Sequence, residues 1–187
     1  TPTQVISLRA GQFLVPFSLE NITSSSDLLT VNRSQVVEKL VPGRDNGSAG
    51  RDLGAAVFGS YSIFDYSIGL FNGSGANKAD TNDRKDLAGR LVAHPWKPLS
   101  LAFSFYNGRQ TASDNPALII RNRYGLELAF SYQRLALQAE FIRATDDRTK
   151  KEGWYTLVTY SLLRQKLQLV GRLEAINLDR HLPAQKT

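Results

Sequence analysis

The chain of 187 residues has no cysteine and no methionine, and it has two histidines and two tryptophans. Without cysteine there is no disulfide, no thiolate metal site and no cysteine nucleophile, while secretion is neither shown nor ruled out. Without methionine, and with Thr1-Pro2-Thr3 offering neither a basic nor an apolar leader region, a mature or truncated chain is expected. No apolar stretch approaches the roughly eighteen residues that a spanning helix needs, and mean hydropathy is −0.27. A helical membrane protein is therefore excluded. A membrane barrel is not, because lipid-facing residues alternate with polar ones along its strands and keep the average hydropathy low.

Lys and Arg number 23 against 17 Asp and Glu, a net charge of +6. That excess suits an anionic partner: nucleic acid, a lipid surface or a small anion. The basic residues are scattered, with no zinc-finger or RNA-motif signature among them, so no nucleic-acid partner is expected.

The dominant pattern is period two, repeated over segments of about ten residues with polar stretches between. Ile6, Leu8 and Ala10 alternate with Ser7, Arg9 and Gly11; Leu53, Ala55 and Val57 alternate with Asp52, Gly54 and Ala56. The series continues through Tyr66, Ile68 and Leu70, then Leu87, Leu91 and Ala93, then Leu99, Leu101, Phe103 and Phe105. Further sets are Tyr124 to Tyr132, Leu135 to Phe141, Trp154 to Leu162 and Leu167 to Ala175. About nine strands follow, each with one apolar and one small or polar face. Connections at 61–65, 95–98, 133–134 and 163–166 look short, whereas 73–85, 107–121 and 145–152 read as long polar loops. Alternating short turns and long loops mark a transmembrane barrel. Trp96, Tyr124, Tyr132, Trp154 and Tyr160 fall near the ends of apolar stripes, where membrane interfaces favour aromatic rings. The alternative is a soluble lipocalin-like or lectin-like barrel whose aromatic stripes form a core.

Residues 18–46 break the pattern. A Ser/Thr/Asn cluster precedes Val36, Val37, Leu40 and Val41, with Asn32 or Ser34 as a cap and Pro42-Gly43 as a stop, predicting a short helix near 33–40. An excursion of this length is expected to be functional or packed, and inside a wide barrel it would fold inward and narrow the lumen.

Several segments are familiar in order and spacing: GQFLVPFSLENITSSSDL at 11–28, LVPGRDNG at 40–47, YSIGLFNGSGANKADTNDRKDLAGRLVAHPW at 66–96, GLELAFSYQRLALQAEFIRA at 125–144 and EGWYTLVTYSL at 152–162. Together they resemble the phosphate-selective porin O/P family of bacterial outer-membrane channels, over about residues 9 to 175. The resemblance implies an antiparallel up-and-down barrel of roughly sixteen strands, a homotrimer when full length, outer-membrane lipid around it, and phosphate, polyphosphate or other small anions passing through a basic lumen. Nine strands do not close such a barrel. Residues 1–187 are therefore expected to be a single but partial barrel domain, a fragment or a shortened member that closes as a smaller barrel. The tail from His181 to Thr187 also lacks the terminal aromatic strand of outer-membrane proteins.

Anion passage needs cationic side chains along the lumen that bind weakly enough to release. If the apolar stripes face lipid, strand parity assigns Arg9, Arg90, Arg123 and Arg172 to the opposite face. Arginine donates in pairs to phosphate and stays charged. The competing account is that these arginines neutralise Glu127, Glu140 and Glu174, which share their parity. Arg44 and Lys39, in the inward-folding segment, either line a constriction or are solvated loop charges.

No cofactor is implied. Asp80, Asn82, Asp83 and Asp86 lack the glycine and glutamate of a calcium loop, since Lys85 and Leu91 stand in those places, so no metal is expected. The NGSG corner at 72–75 lacks a following Gly-Lys-Ser/Thr and reads as turn chemistry, with Gly73 taking positive φ. The Asn-X-Ser/Thr triplets at Asn21, Asn32, Asn46 and Asn72 are read as coincidence. An outer-membrane barrel hydrolase would need a nucleophile beside a base; the chain offers His94 and His181 as histidine bases, and no serine context in the sequence singles out a partner for either. No enzyme activity and no catalytic residue is expected.

Overall fold

The computed structural model describes residues 5–80, 82–112, 115–163 and 167–180. His181 and the rest of the tail lie outside the described residues, as does most of the turn at 163–166. Among the described residues there are nine strands: β1 (Val5–Leu14), β2 (Arg51–Tyr61), β3 (Phe64–Phe71), β4 (Asp86–Trp96), β5 (Leu99–Ala112), β6 (Asn115–Tyr132), β7 (Leu135–Asp146), β8 (Thr149–Leu163) and β9 (Leu167–Asn177). They form one sheet in chain order, each strand antiparallel to the next, with β1 and β9 at its edges. The all-β, up-and-down antiparallel architecture is the one the alternation predicts.

Register carries the alternation across the sheet. Leu101 opposes Leu128, which opposes Ala139; Phe103 opposes Leu126, which opposes Phe141 and then Trp154. Because side chains alternate with period two, this register gathers the apolar stripes on one face. That face is bare: Leu8, Leu70, Leu101, Leu126, Trp154, Leu169 and Leu173 are all exposed, Leu8 by 82 % and Leu173 by 72 %. A continuous apolar face of this size is not stable against water. The aromatic stripes thus form no core, as the soluble-barrel alternative requires.

The core lies on the other face. Residues 15–50 leave β1, cross that face and return as β2, and their Val15, Phe17, Val36, Val37, Leu40 and Val41 pack against Phe71, Tyr106, Ile142, Ala144, Tyr155 and Leu157 of the sheet. The segment holds two short helices, α1 (Leu19–Ile22) and α2 (Gln35–Leu40). Helix α2 is the one predicted near 33–40, and its cap is Ser34, whose hydroxyl accepts the Val36 N–H at 3.1 Å. Six residues do not make a stable helix alone; burial of Val36, Val37 and Leu40 supplies the rest.

Two of the three expected long loops are strand. β5 runs to Ala112 and β6 starts at Asn115, and β7 and β8 are joined through Asp147-Arg148 with Asp147 at φ 53. Among the described residues, 107–112, 115–121, 145–146 and 149–152 extend past the apolar band without leaving the sheet. Their backbone groups stay paired across the hairpin, and a ladder needs no apolar side chains to persist. The third stretch, between Phe71 and Asp86, holds no strand among the described residues. Its corner works as turn chemistry requires: Gly73 has φ 79 and Gly75 φ 90, and their N–H groups donate to the Asp52 carboxylate at 2.6 and 3.2 Å.

Candidate anion pathway

The covered face collects the charge. Arg9 (β1), Arg90 (β4), Arg123 (β6) and Arg172 (β9) all project to it, as parity requires, but their surroundings differ sharply. Arg90 is pinned in a fork, its Nε and Nη2 donating to Glu127 Oε2 at 2.9 and 2.6 Å. Glu127 is buried and also accepts from the Ser104 hydroxyl. Arg123 is 1 % exposed; its Nη2 lies 3.0 Å from Asp45 Oδ2 and 2.6 Å from Asp146 Oδ1, the latter an ion pair short of an aligned hydrogen bond. It also donates to the carbonyls of Leu40 and Thr145 at 3.1 and 3.2 Å. Arg172 donates to Thr30 Oγ1 at 3.0 Å and the Asn32 carbonyl at 2.7 Å, with Glu174 at 3.6 Å and Glu20 at 3.8 Å.

These three arginines fasten residues 15–50 to the sheet or neutralise buried acids. The competing account therefore has Glu127 beside Arg90 and Glu174 beside Arg172, while Glu140 is met by the Tyr155 hydroxyl and the Glu20 N–H and, among the described residues, by no arginine. Arg44 donates to Asn21 Oδ1 at 2.7 Å and to Glu38 Oε1 at 2.8 Å, and burial, with Arg33 near, lowers its guanidinium from the ordinary value. Lys39 is exposed on α2 and has no ion pair among the described residues.

Arg9 stands apart. Its guanidinium carbon sits 4.9 Å from the Phe58 ring centroid and 5.6 Å from that of Phe13, it is exposed, and no carboxylate pairs with it among the described residues. Stacking on aromatic faces holds the fork in place and leaves its N–H groups available. Arg9 and Arg90 line one cavity of about 400 Å³ together with Ser7, Ser60, Ser67, Phe58 and the Asp65 carboxylate. Arg123 and Arg172 do not reach it.

Arg121 is a further cation on the covered face that the alternation did not assign. It is 5 % exposed and pairs with Asp45, two positions from Arg123 on β6. Shared parity with Arg123 would have found it had residues 107–121 been read as strand. His94 was a candidate base whose partners the sequence did not single out: the structure gives it Ser100 and Asp65, each at 2.8 Å. The serine that no sequence context singled out is supplied by the neighbouring strand across the turn.

A family model described as phosphate-selective porin O and P matches residues 1–122. The chain belongs to this family. The matched stretch ends before the familiar segments at 125–144 and 152–162, which continue the same sheet. No curated protein and no solved structure matches the chain. Membership in this porin family points to a channel and not an enzyme, and to the outer membrane, where the family resides.

Proposed function

We propose that this porin-family chain forms part of the wall of an outer-membrane channel through which small anions diffuse passively, phosphate or polyphosphate best among them. The bare apolar face meets lipid, and the covered face is the lumen side, with residues 18–46 folded inward to narrow it. β1 and β9 run in the same direction, so an all-antiparallel closure takes an odd number of further strands. That favours nine strands as a portion of a larger barrel, trimeric when complete.

The observation that carries the anion reading is Arg9: a guanidinium held by two rings, unpaired among the described residues, in a cavity with serine hydroxyls. A paired arginine such as Arg90 presents little net charge, so Arg9, with Lys39 at the α2 surface, is the cation an entering anion meets. Arg90, Arg123, Arg172 and Arg44 shape the passage without drawing the ion. The test is the reversal potential of the full-length channel in a planar bilayer under a potassium chloride gradient. Wild type is expected to favour chloride, and Arg9→Glu to move the potential toward that of potassium. Cation selectivity in wild type sinks the anion reading, and an unchanged potential in Arg9→Glu removes Arg9 from the pathway.

A further inference from the structure

Ser100, His94 and Asp65 form a relay that the channel reading leaves unused. His94 Nδ1 lies 2.8 Å from Ser100 Oγ, and Nε2 lies 2.8 Å from Asp65 Oδ2. Asp65 Oδ1 in turn accepts the Ser60 hydroxyl at 2.6 Å. An ionised carboxylate only accepts, so the imidazole proton sits on Nε2 and the Nδ1 lone pair faces the serine hydroxyl. Nucleophile, base and orienting group thus stand in the order that activates a serine. The backbone holds them there: His94 N–H donates to the Ile63 carbonyl at 2.8 Å, tying the end of β4 to the β2–β3 turn, and β5 begins at Leu99 beside it.

A cavity of about 220 Å³ borders all three residues. Its remaining wall is Leu19, Val92, Ala102 and Ala129, with Arg90 and Glu127 at its polar side. Arg90 uses Nε and Nη2 on Glu127, and its Nη1 has no partner among the described residues. His94 and Asp65 are 43 % and 51 % exposed, so the pocket opens to solvent; a small open pocket with one apolar wall, one serine nucleophile and one spare pair of cationic N–H donors fits a short-chain carboxylic ester.

We propose that Ser100 is a nucleophile and that this cavity hydrolyses small carboxylic esters. His94 Nδ1 takes the Ser100 proton as Oγ bonds to the ester carbonyl carbon, and Arg90 Nη1 faces the oxygen that gains charge. The carbonyl–alkoxy bond then breaks, and the alkoxide leaves with the proton from His94 as the alcohol. Water repeats the sequence on the acyl-serine, releasing the acid and restoring Ser100. No redox partner or metal is required. This reading does not rest on anion passage, since it needs only the cavity and its three residues.

The test is labelling of the full-length protein in detergent with an alkyl fluorophosphonate, in which Oγ attacks phosphorus and fluoride leaves. The label is expected on the Ser100 peptide by mass spectrometry, at unit stoichiometry, and unaltered in Ser161→Ala. Ser100→Ala should lose it, and His94→Gln should slow it by about a hundredfold or more, the usual contribution of a general base. Hydrolysis of p-nitrophenyl acetate should follow the same order. If either variant fails to fold, the wild-type protein decides: excess p-nitrophenyl acetate should slow labelling of Ser100, because ester and fluorophosphonate compete for one hydroxyl. No label on Ser100, a label that survives in His94→Gln at the wild-type rate, or a labelling rate that the ester leaves unchanged overturns the proposal and leaves the relay as a hydrogen-bonded brace of the turn.

Discussion

Replacing Arg123 by methionine keeps the length of the side chain and removes a guanidinium that is 1 % exposed and faces Asp45 and Asp146. Asp45 belongs to the segment that crosses the covered face, and Asp146 to the end of β7. Both carboxylates are largely buried, at 10 % and 20 % side-chain exposure, so the variant leaves them short of compensating charge. Breaking a buried pair by removing one partner costs about 3–5 kcal/mol. Arg121 still reaches Asp45, and Lys151 still reaches Asp146 at 2.7 Å, which puts the expected loss near the lower end of that range. The cost falls on the docking of residues 15–50, because the sheet ladder does not pass through Arg123's side chain. At about 1.4 kcal/mol per factor of ten, the open population of the segment rises on the order of a hundredfold. Limited trypsin cleavage at Lys39 and Arg44 reads that population when opening is fast relative to cutting. A cleavage rate equal to wild type refutes the reasoning.

Ser34→Ala removes the cap of α2 and is expected to cost about 1 kcal/mol of segment docking, read as roughly fivefold faster trypsin cleavage at Lys39. Burial raises the Glu20 carboxyl above its ordinary value, against the lowering pull of the Ser34 N–H, Arg172 and Arg33. The docked state then binds the proton more tightly than the undocked one, so Glu20's contribution to docking is fullest below its ordinary value and is lost as pH rises through the raised one. Amide hydrogen exchange at Asn21 and Ser34, corrected for intrinsic rates, should slow on acidification, and Glu20→Gln should remove that dependence. Trp96 and Trp154, 58 % and 44 % exposed on the bare face, should be quenched by brominated acyl chains and shielded from iodide; the reverse pattern would place that face in water. Leu101→Arg on the same face is expected to destabilise the folded protein in lipid by about 2–4 kcal/mol, measured by urea unfolding in vesicles.

Strand number, strand faces, the helix near 33–40 and the positive-φ corner at Gly73 were legible in the sequence, with the cap narrowed to Asn32 or Ser34. Each depends on residues a few positions apart: period two places Leu101 and Phe103 together and Ser104 opposite, whatever the partner strand is. The parity of Arg9, Arg90, Arg123 and Arg172 was legible for the same reason. Polarity alone misled at 107–121 and 145–152, because a hairpin beyond the apolar band keeps its ladder with polar side chains.

Which arginine is free was decided by the tertiary structure. Arg90 meets Glu127 across 37 positions of sequence and Arg123 meets Asp45 across 78, so their pairing depends on register and on the docking of a distant segment. The same holds for Asp65, which meets His94 across 29 positions through the β3–β4 pairing, whereas Ser100 lies six positions from His94 across the short turn at 95–98. Alternation is a property of the chain's own geometry and survives any fold the strands join. Charge pairing acts over about 3–4 Å, and only a packed fold brings distant residues that close.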